Sequence, residues 1–333
     1  MSVLFVDEHG ACVRYSGGRI IVTDPEHKEL ASLRVQEIET VVICVHASVT
    51  SAALSALLHA GVDTVYVDHN GRYLGRTQPA LAKNLNLRLA QYAAFGDENF
   101  RLEIARRIAT GKVTNMRVVL LRQARYRKSE TVSARANRIL ESLNALSLAE
   151  NPQVVLGLEG TATREYFAAL SETLSPPFVF DGRRRRPPPD PVNAMLGFSY
   201  ALLAGVTGSA VYAAGLDPFL GFYHREAYGR ESLVLDLMEE FRPIVADSVV
   251  LACCNKRIVD PTTDFEERDG GVYLNEKGRS KVFSAFHSRL KETVQPGEGL
   301  SAIPYSRIIH TQARRLARCV ATGNPDYCPF TVR

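Results

Sequence analysis

Short runs of β-branched and aromatic residues dominate the first eighty residues, and this pattern predicts β-strands. SVLFVDE, ACVRYS, RIIVTD, TVVICV and TVYVD are the runs concerned. Between the last two, the apolar spacing over Ser48–Ala60 predicts a short helix that ends at Gly61. Asn70-Gly71 predicts a hairpin turn. The pattern therefore predicts a small β-rich domain that ends near Pro79.

Beyond Pro79 the apolar residues recur with the period of about 3.6 that is typical of helices. Helices are predicted over Leu81–Phe95, Asp97–Thr110, Val113–Ser147, 162–174, most of the chain up to about 255, Glu276–Thr293 and Ile303–Ala321. An irregular segment at 256–274 is predicted to contain a hairpin near Gly270-Gly271. The fold class is thus predicted to be α+β, with a β-rich domain at 1–79 and a larger all-α domain at 80–333.

The segment Asn193–Leu216 contains no charged residue and is long enough to cross a bilayer. Its asparagine, glycines, tyrosines and hydroxyl residues instead favour two buried helical segments, broken near Gly205–Gly208. The six cysteines have no C-x-x-C spacing, which argues against a zinc site or a disulfide framework. The N-terminus lacks the pattern of a signal peptide. These features predict a cytoplasmic protein without a membrane partner.

Basic residues are concentrated in one part of the chain. Residues 1–79 contain six Lys or Arg against nine Asp or Glu, whereas residues 101–139 contain eleven against two. A helical surface this basic could contact nucleic-acid phosphates, or could simply be solvated. The bases concerned are Arg101, Arg106, Arg107, Lys112, Arg117, Arg122, Arg125, Arg127 and Lys128. Arg183, Arg184, Arg185 and Arg186, in the exposed loop FDGRRRRPPPDP, form a second candidate.

Three segments place acids or an imidazole where packing does not require them. Glu159 lies between two glycines, predicted at the mouth of a helix, and could bind a ligand or complement the helix dipole. His224 closes an aromatic turn and could be a ligand or a hydrogen-bonded core residue. On the helix 231–243, Asp236, Glu239 and Glu240 share an arc of about 100°, where they could hold a cation or be solvated. Together these oxygen and nitrogen donors would suit Mg²⁺ or Mn²⁺.

The order of these motifs resembles the CRISPR-associated adaptation integrase family (Cas protein one). The matching segments are G-x-E-G-x-x-x-x-x-Y-F at 157–167, the Arg- and Pro-rich loop, DPVNAMLGFSYALL at 190–203, GFYH at 221–224 and SLVLDLMEEFRP at 232–243. The resemblance covers nearly the whole chain. It implies a β-sandwich N-terminal domain, used for dimerisation, and a helical catalytic domain.

The resemblance also implies roles for single residues. By position, Glu159, His224 and Glu239 would ligate a divalent metal, Mg²⁺ or Mn²⁺, and Glu240 leaves the last assignment open by one residue. Asp236 would be a further acid near that site. Asn193 and Tyr166 would lie close to a DNA end.

The reaction implied by the resemblance is the insertion of short duplex DNA into a CRISPR array. A 3′-hydroxyl would attack a phosphodiester at the repeat boundary, and with water as the nucleophile the same site would act as an endonuclease. The implied partners are double-stranded DNA, a second copy of the chain and a dimer of a small companion protein (Cas protein two). The residues alone leave two alternatives: a metal-dependent phosphoesterase acting on nucleotides or RNA, and a non-enzymatic basic DNA-binding protein.

Overall fold

A computed structural model describes residues 2–68, 73–77, 84–184, 187–224, 227–297 and 301–332. Within these residues, the first part of the chain contains two four-stranded sheets, one α-helix and a 3₁₀ turn (Val35–Glu37). In the first sheet, strands β1 (Ser2–Val6), β5 (Ile38–Cys44) and β7 (Asp63–Val67) pair in parallel, and β8 (Tyr73–Thr77) is antiparallel to β7. The second sheet has the order β4 (Glu29–Arg34), β3 (Arg19–Thr23), β2 (Cys12–Ser16) and β6 (Ser48–Val49). Helix α1 (Ser51–His59) begins at Thr50, which caps it.

The two sheets enclose one hydrophobic core, and the first sheet has a second buried face. Along β5, Val41 and Ile43 join the core between the sheets, whereas Val42 and Cys44 join the core of the helical region. This division follows from the alternation of side chains along a strand. The predicted β-rich region is therefore confirmed, and its sheet also packs against the rest of the protein. The predicted boundary at 79/80 and the Asn70-Gly71 turn lie outside the described residues.

The remainder of the chain is mainly helical, which confirms the predicted α+β class. The helices are α2 (Leu85–Gly96), α3 (Glu98–Arg127), α4 (Glu130–Leu146), α5 (Pro152–Glu172), α6 (Pro191–Ala213), α7 (Ser232–Met238), a π-helical turn (Arg242–Asp247), α8 (Ser248–Asn255), α9 (Glu276–Lys291) and α10 (Tyr305–Thr322). The short strands are β9 (Phe265–Arg268), β10 (Gly271–Leu274), β11 (Thr293–Val294) and β12 (Ile303–Pro304). β9 and β10 form the predicted hairpin.

Two predicted helix breaks are wrong, and both coincide with glycines. α3 runs without interruption through Gly111, where a side-chain carbon would lie 2.5 Å from Cβ of Pro329. α6 runs through Gly208, where a side-chain carbon would lie 2.1 Å from Nη2 of Arg76. These glycines admit a neighbouring group to the helix rather than ending it. The actual break in the predicted helix 113–147 falls at Lys128, whose φ of 53° is left-handed and ends α3.

Helix α6 is long and apolar enough to cross a membrane by length and composition, but 67% of its most apolar window is buried inside the protein. Its neighbours include the first sheet, since Val65 of β7 lies against Gly205. Ion pairs also join the two parts of the chain: Arg76 with Glu231 at 2.8 Å, and Asp7 with Arg279 at 2.8 Å.

Candidate metal centre

Glu159, His224 and Glu239 lie together although they come from three separate elements. Glu159 is in the middle of α5, not at the mouth of a helix as predicted. Glu239 directly follows α7, and His224 ends the turn at 221–224. His224 Nε2 is 3.6 Å from Glu239 Oε1, and Lys112 Nζ is 2.5 Å from both Glu159 Oε1 and Glu239 Oε2. The predicted convergence of these three side chains is present in the structure.

Asp236 fixes the turn that presents His224. Its fully buried carboxylate accepts hydrogen bonds from the backbone N–H groups of Phe222 at 2.6 Å, Tyr223 at 2.9 Å and His224 at 2.8 Å. It also accepts from His224 Nδ1 at 2.7 Å. A hydrogen bond at Nδ1 fixes the ring orientation and leaves Nε2 as the metal-facing nitrogen. Asp236 therefore positions His224, and it is not solvated.

Positive charges surround Glu239, which is only 2% exposed. Arg242 Nε lies 3.1 Å from Glu239 Oε1, whereas Lys112 contacts the other oxygen, Oε2. Burial opposes ionisation, but the charges of Arg242, Lys112 and His224 lower the pKa of Glu239 to about 2. Sequence reasoning missed both cations, and it placed Lys112 among the bases that would contact DNA phosphates or solvent. Glu239 is thus held as a carboxylate.

Glu240 points away from this cluster. Its carboxylate accepts from the Tyr327 hydroxyl and the Phe330 N–H, each at 2.5 Å, and from the Gln312 amide at 3.2 Å. Burial raises the pKa of Glu240 to about 7, against these hydrogen bonds. Of the two neighbouring acids that the sequence left open, only Glu239 faces Glu159 and His224. The prediction that Asp236, Glu239 and Glu240 share one face is wrong for Glu240, because Asp236 and Glu239 both lie against His224 whereas Glu240 is bonded to Tyr327 and Phe330.

Tyr166 is fully buried, and its hydroxyl donates to Asp247 Oδ2 at 3.0 Å. Tyr200 donates to the other oxygen of Asp247 at 2.7 Å. Burial raises the pKa of Asp247 to about 6, although both hydrogen bonds oppose the shift. Asp247 lines the same cavity as the three predicted ligands. Tyr166 thus supports a wall of the cavity, and its contact with a DNA end stays a prediction.

Asn193 fastens the start of the arginine-rich loop to α6. Its side-chain oxygen accepts from Arg183 Nη1 at 2.9 Å and from the Arg184 N–H at 2.8 Å. Its amide donates to the Gly182 carbonyl and to Asp190 Oδ2, so a 1% exposed side chain is fully hydrogen-bonded. Arg185 and Arg186 lie outside the described residues. The proximity of Asn193 to a DNA end likewise stays a prediction.

The cluster opens into a cavity of about 650 Å³. Glu159, His224 and Glu239 line it together with Lys112 and Asp247. A second cavity of about 1020 Å³ adjoins it, and Arg183, Tyr200 and Arg242 line both. Two acids and an imidazole therefore face a space whose walls also carry guanidinium groups.

The donor set fits a hard divalent cation. Carboxylate oxygens and one imidazole nitrogen suit Mg²⁺ or Mn²⁺. Both carboxylate oxygens are 2.5 Å from the same Lys112 nitrogen. That is about 0.4 Å longer than a magnesium–oxygen bond of about 2.1 Å. Small movements would thus bring Glu159 and Glu239 to a common ion.

Among the described residues, Asp7, Cys44 and His46 form another group that could hold a metal, with ligand atoms within 4.8 Å of one another. Asp7 directly follows β1, Cys44 is the last residue of β5, and His46 lies two residues further on. Burial and the charge of Asp7 raise the pKa of the Cys44 thiol, and Asp7 is already paired with Arg279. A neutral thiol and an occupied carboxylate make a poor metal site, so we interpret this group as a link between the sheet and α9.

The basic residues of α3 are not equivalent. Arg106 Nε donates to the Ala149 carbonyl at 2.7 Å, and Arg107 is paired with Glu103 at 2.6 Å and with Asp326. Arg117 is half-buried, whereas Arg122 and Arg125 are exposed. The prediction that α3 follows phosphates therefore depends mainly on Arg122 and Arg125.

The chain combines a β-rich region with a helical region, and the helical region contains a cleft lined by arginines, acids and an imidazole. Residues 4–288 match the family model described as CRISPR associated protein Cas1, and the chain belongs to this family. It is 35% identical over 334 residues to "CRISPR-associated endonuclease Cas1 3" of Thermus thermophilus, covering 100% of this chain and 98% of the relative.

Two solved structures have the same fold. A chain of a casposase bound to integration product superposes with a TM-score of 0.87 and 26% identity, covering 97% of this chain and 91% of that chain. A chain of a Cas6-RT-Cas1–Cas2 complex gives a TM-score of 0.82 at 22% identity, covering 99% of this chain and 36% of the larger chain.

Proposed function

We propose that this chain is a metal-dependent DNA endonuclease and integrase of CRISPR adaptation, which inserts short duplex DNA into a CRISPR array. The observation that carries the proposal is the convergence of Glu159, His224 and Glu239 on one cavity. Family membership supports it, and so does the fold shared with a casposase whose structure contains an integration product. A cytoplasmic location follows from the same proposal.

Glu159, His224 and Glu239 would hold Mg²⁺ or Mn²⁺. When bound, the ion would activate the attacking 3′-hydroxyl or water and stabilise negative charge on the phosphodiester. Asp236 keeps the His224 ring in place through its Nδ1 hydrogen bond. Arg242 keeps Glu239 ionised, so that the carboxylate is ready for a cation at neutral pH. Because these groups are held by buried contacts, the site is preorganised for one geometry.

The partners proposed are double-stranded DNA, a second copy of the chain and the small companion Cas protein two. Arg122 and Arg125 are exposed on α3, and Arg184 is exposed at the start of the arginine-rich loop. Guanidinium groups in such positions could pair with DNA phosphates and give affinity that depends on salt rather than on sequence.

The test is a gel assay with labelled duplex DNA and Mn²⁺, comparing Glu159→Gln and His224→Ala with the wild type. Each substitution should lower both cleavage and strand transfer by at least about a hundredfold. The reason is that each removes one proposed metal ligand. The matched control is Glu141→Gln on α4, an exposed glutamate that should leave the rate unchanged.

Full activity in both site variants would refute the metal centre. Hydrolysis of mononucleotides without action on duplex or branched DNA would instead identify a phosphoesterase. DNA binding that chelators leave unchanged, without any cleavage or joining, would identify a non-enzymatic DNA-binding protein.

A further inference from the structure

Lys112 occupies the space between the two carboxylates of the candidate metal centre. It lies within α3, is 8% exposed, and its Nζ is 2.5 Å from both Glu159 Oε1 and Glu239 Oε2. Lysine is almost never this buried unless its charge is paired. A single ammonium that bridges two acids from separate elements neutralises charge that a metal ion would otherwise neutralise.

The other contacts of the two carboxylates complete their neutralisation. Glu159 Oε1 also accepts from the Thr163 hydroxyl at 2.6 Å, and Glu239 is paired with Arg242 at 3.1 Å. Both carboxylates therefore already have a cationic partner, Lys112 for the pair of them and Arg242 for Glu239. A divalent ion added with Lys112 in place would put a second positive charge against the same two carboxylate oxygens that the ammonium contacts, and the repulsion between the two cations at this distance is costly.

We propose that Lys112 is a built-in counter-cation of the metal centre, which a divalent ion must displace before it can bind. This rests on the proposed function, because it concerns the same centre. In the metal-free protein the lysine holds Glu159 and Glu239 close together and suppresses their repulsion. The same contact lowers the affinity for metal, since only molecules in which the ammonium has moved away can bind the ion.

The cavity of about 650 Å³ into which the metal centre opens is lined in part by Lys112, and it gives the displaced ammonium a place to move into. Among the described residues, Arg242 forms an ion pair with Glu239 but not with Glu159, so it does not bridge the two carboxylates as Lys112 does. Lys112 is thus a positioning residue of the metal-free state and a competitor of the metal.

The experiment measures Mn²⁺ binding to the full DNA-free chain by isothermal titration calorimetry, for the wild type, Lys112→Met and Lys112→Gln. Removing the ammonium should tighten Mn²⁺ binding at least about tenfold, the factor expected if the lysine is displaced in no more than about a tenth of the molecules. Lys256→Met, which removes an exposed lysine, is the matched control and should bind like the wild type. In chelator, Lys112→Met should melt below the wild type, and Mn²⁺ should raise its melting temperature more.

A measurement on the unaltered protein guards against a variant that does not fold. Mn²⁺ should increase the acylation of Lys112 by an amine-reactive reagent, measured by peptide mass spectrometry against Lys256 as the internal reference. Reactivity that Mn²⁺ leaves unchanged would overturn the displacement.

Glu159→Gln separates the two proposals. If Mn²⁺ binding requires Glu159 but Lys112→Met and Lys112→Gln leave it equal or weaker, the competition by Lys112 is wrong and the metal centre stands. If Glu159→Gln leaves Mn²⁺ binding unchanged, the proposed metal centre itself is wrong, and the role of Lys112 is overturned with it.

Discussion

Glu239 and Glu240 are neighbours in the chain and equally buried, at 2% exposure, yet they belong to two different regions. Glu239 lies in the metal-centre cluster, with Lys112, Arg242 and His224 as charged or chargeable partners. Glu240 lies in a second region, which we call the C-terminal cluster and define by Glu240, Gln312, Tyr327 and Phe330. There its direct partners are neutral donors.

The difference lies in the charge of the partners, because burial is the same. Cations lower the pKa of Glu239 to about 2, whereas burial dominates at Glu240 and raises its pKa to about 7. A carboxylate among cations stays ionised and can take part in exchange with a metal ion. A carboxyl group among neutral donors instead fixes the backbone that supplies them, here the segment that follows α10. Burial of an acid therefore does not by itself indicate a catalytic residue.

Replacing each of the two glutamates by glutamine should give the largest difference between the two regions, in the rate of DNA cleavage. Glu239→Gln removes a proposed metal ligand and should lower Mn²⁺-dependent DNA cleavage by at least about a hundredfold. Glu240→Gln should leave the rate of the folded protein within a few fold, because Glu240 does not face the cavity. The measurement is cleavage of labelled duplex DNA, normalised to folded protein by circular dichroism. A folded Glu240→Gln variant as inactive as Glu239→Gln would show that the two regions are one functional unit.

The second largest difference that we expect between the metal-centre cluster and the C-terminal cluster is in how their contributions to stability depend on pH. Glu240 has a folded pKa of about 7 against 4.5 for an ordinary glutamate. Its contribution to stability is therefore fully present below pH 4.5 and is lost as the pH rises through 7, by up to about 1.4 kcal/mol per pH unit in between. Glu239, with a pKa of about 2, acts in the opposite direction: its contribution is present above pH 4.5 and is lost as the pH falls through 2.

The test is the melting temperature of the wild type and Glu240→Gln in chelator from pH 4.5 to 8. The gap between the two proteins should be largest at low pH and should narrow as the pH rises, since only the wild type loses this contribution. Glu141→Gln, at an exposed position, should run parallel to the wild type. A gap that stays constant across this range would show that Glu240 does not titrate there.

The sequence predicted the metal-centre cluster better than the C-terminal cluster, and the reason is local geometry. The residues alone left the roles of Glu159, His224 and Glu239 open, and the resemblance to the Cas1 family, carried by the order of several motifs, selected them as ligands. Separating Glu239 from Glu240 required the packing around them, because Glu239 contacts Lys112 and Arg242 whereas Glu240 contacts Tyr327 and Phe330. The C-terminal cluster depends on contacts across 72 to 90 positions of the chain, which no local pattern reveals.

The burial of Lys112 in the metal-centre cluster could not be predicted from the sequence either. It lies in a run of bases that looks like a solvated or DNA-binding surface, and nothing in its spacing distinguishes it from Arg106 or Arg117. In the structure α3 packs against several elements, and its buried positions are spread along most of its length. A helix surrounded by neighbours lacks the single apolar stripe from which sequence reasoning identifies the buried face. For the same reason the sequence did not show that Arg106 and Arg107 make contacts within the protein, while DNA contact by the basic residues stays a prediction.

The smallest effect that we expect is a change in the free energy of unfolding when a hydrogen bond is removed from the C-terminal cluster. Tyr327→Phe removes the hydroxyl that donates to Glu240 Oε1 at 2.5 Å and changes little else in the shape of a fully buried ring. Losing this hydrogen bond to a buried carboxyl group should lower the free energy of unfolding by about 1–2 kcal/mol, measured by urea denaturation. Tyr126→Phe is the matched control, since Tyr126 is 81% exposed and should change stability by less than about 0.5 kcal/mol. Cleavage activity should be retained in both variants, because the hydroxyl of Tyr327 stabilises the segment after α10 and not the metal-centre cluster. A loss of cleavage in Tyr327→Phe without a loss of stability would contradict this division, because it would mean that the C-terminal cluster acts on Glu239 through the chain that joins them.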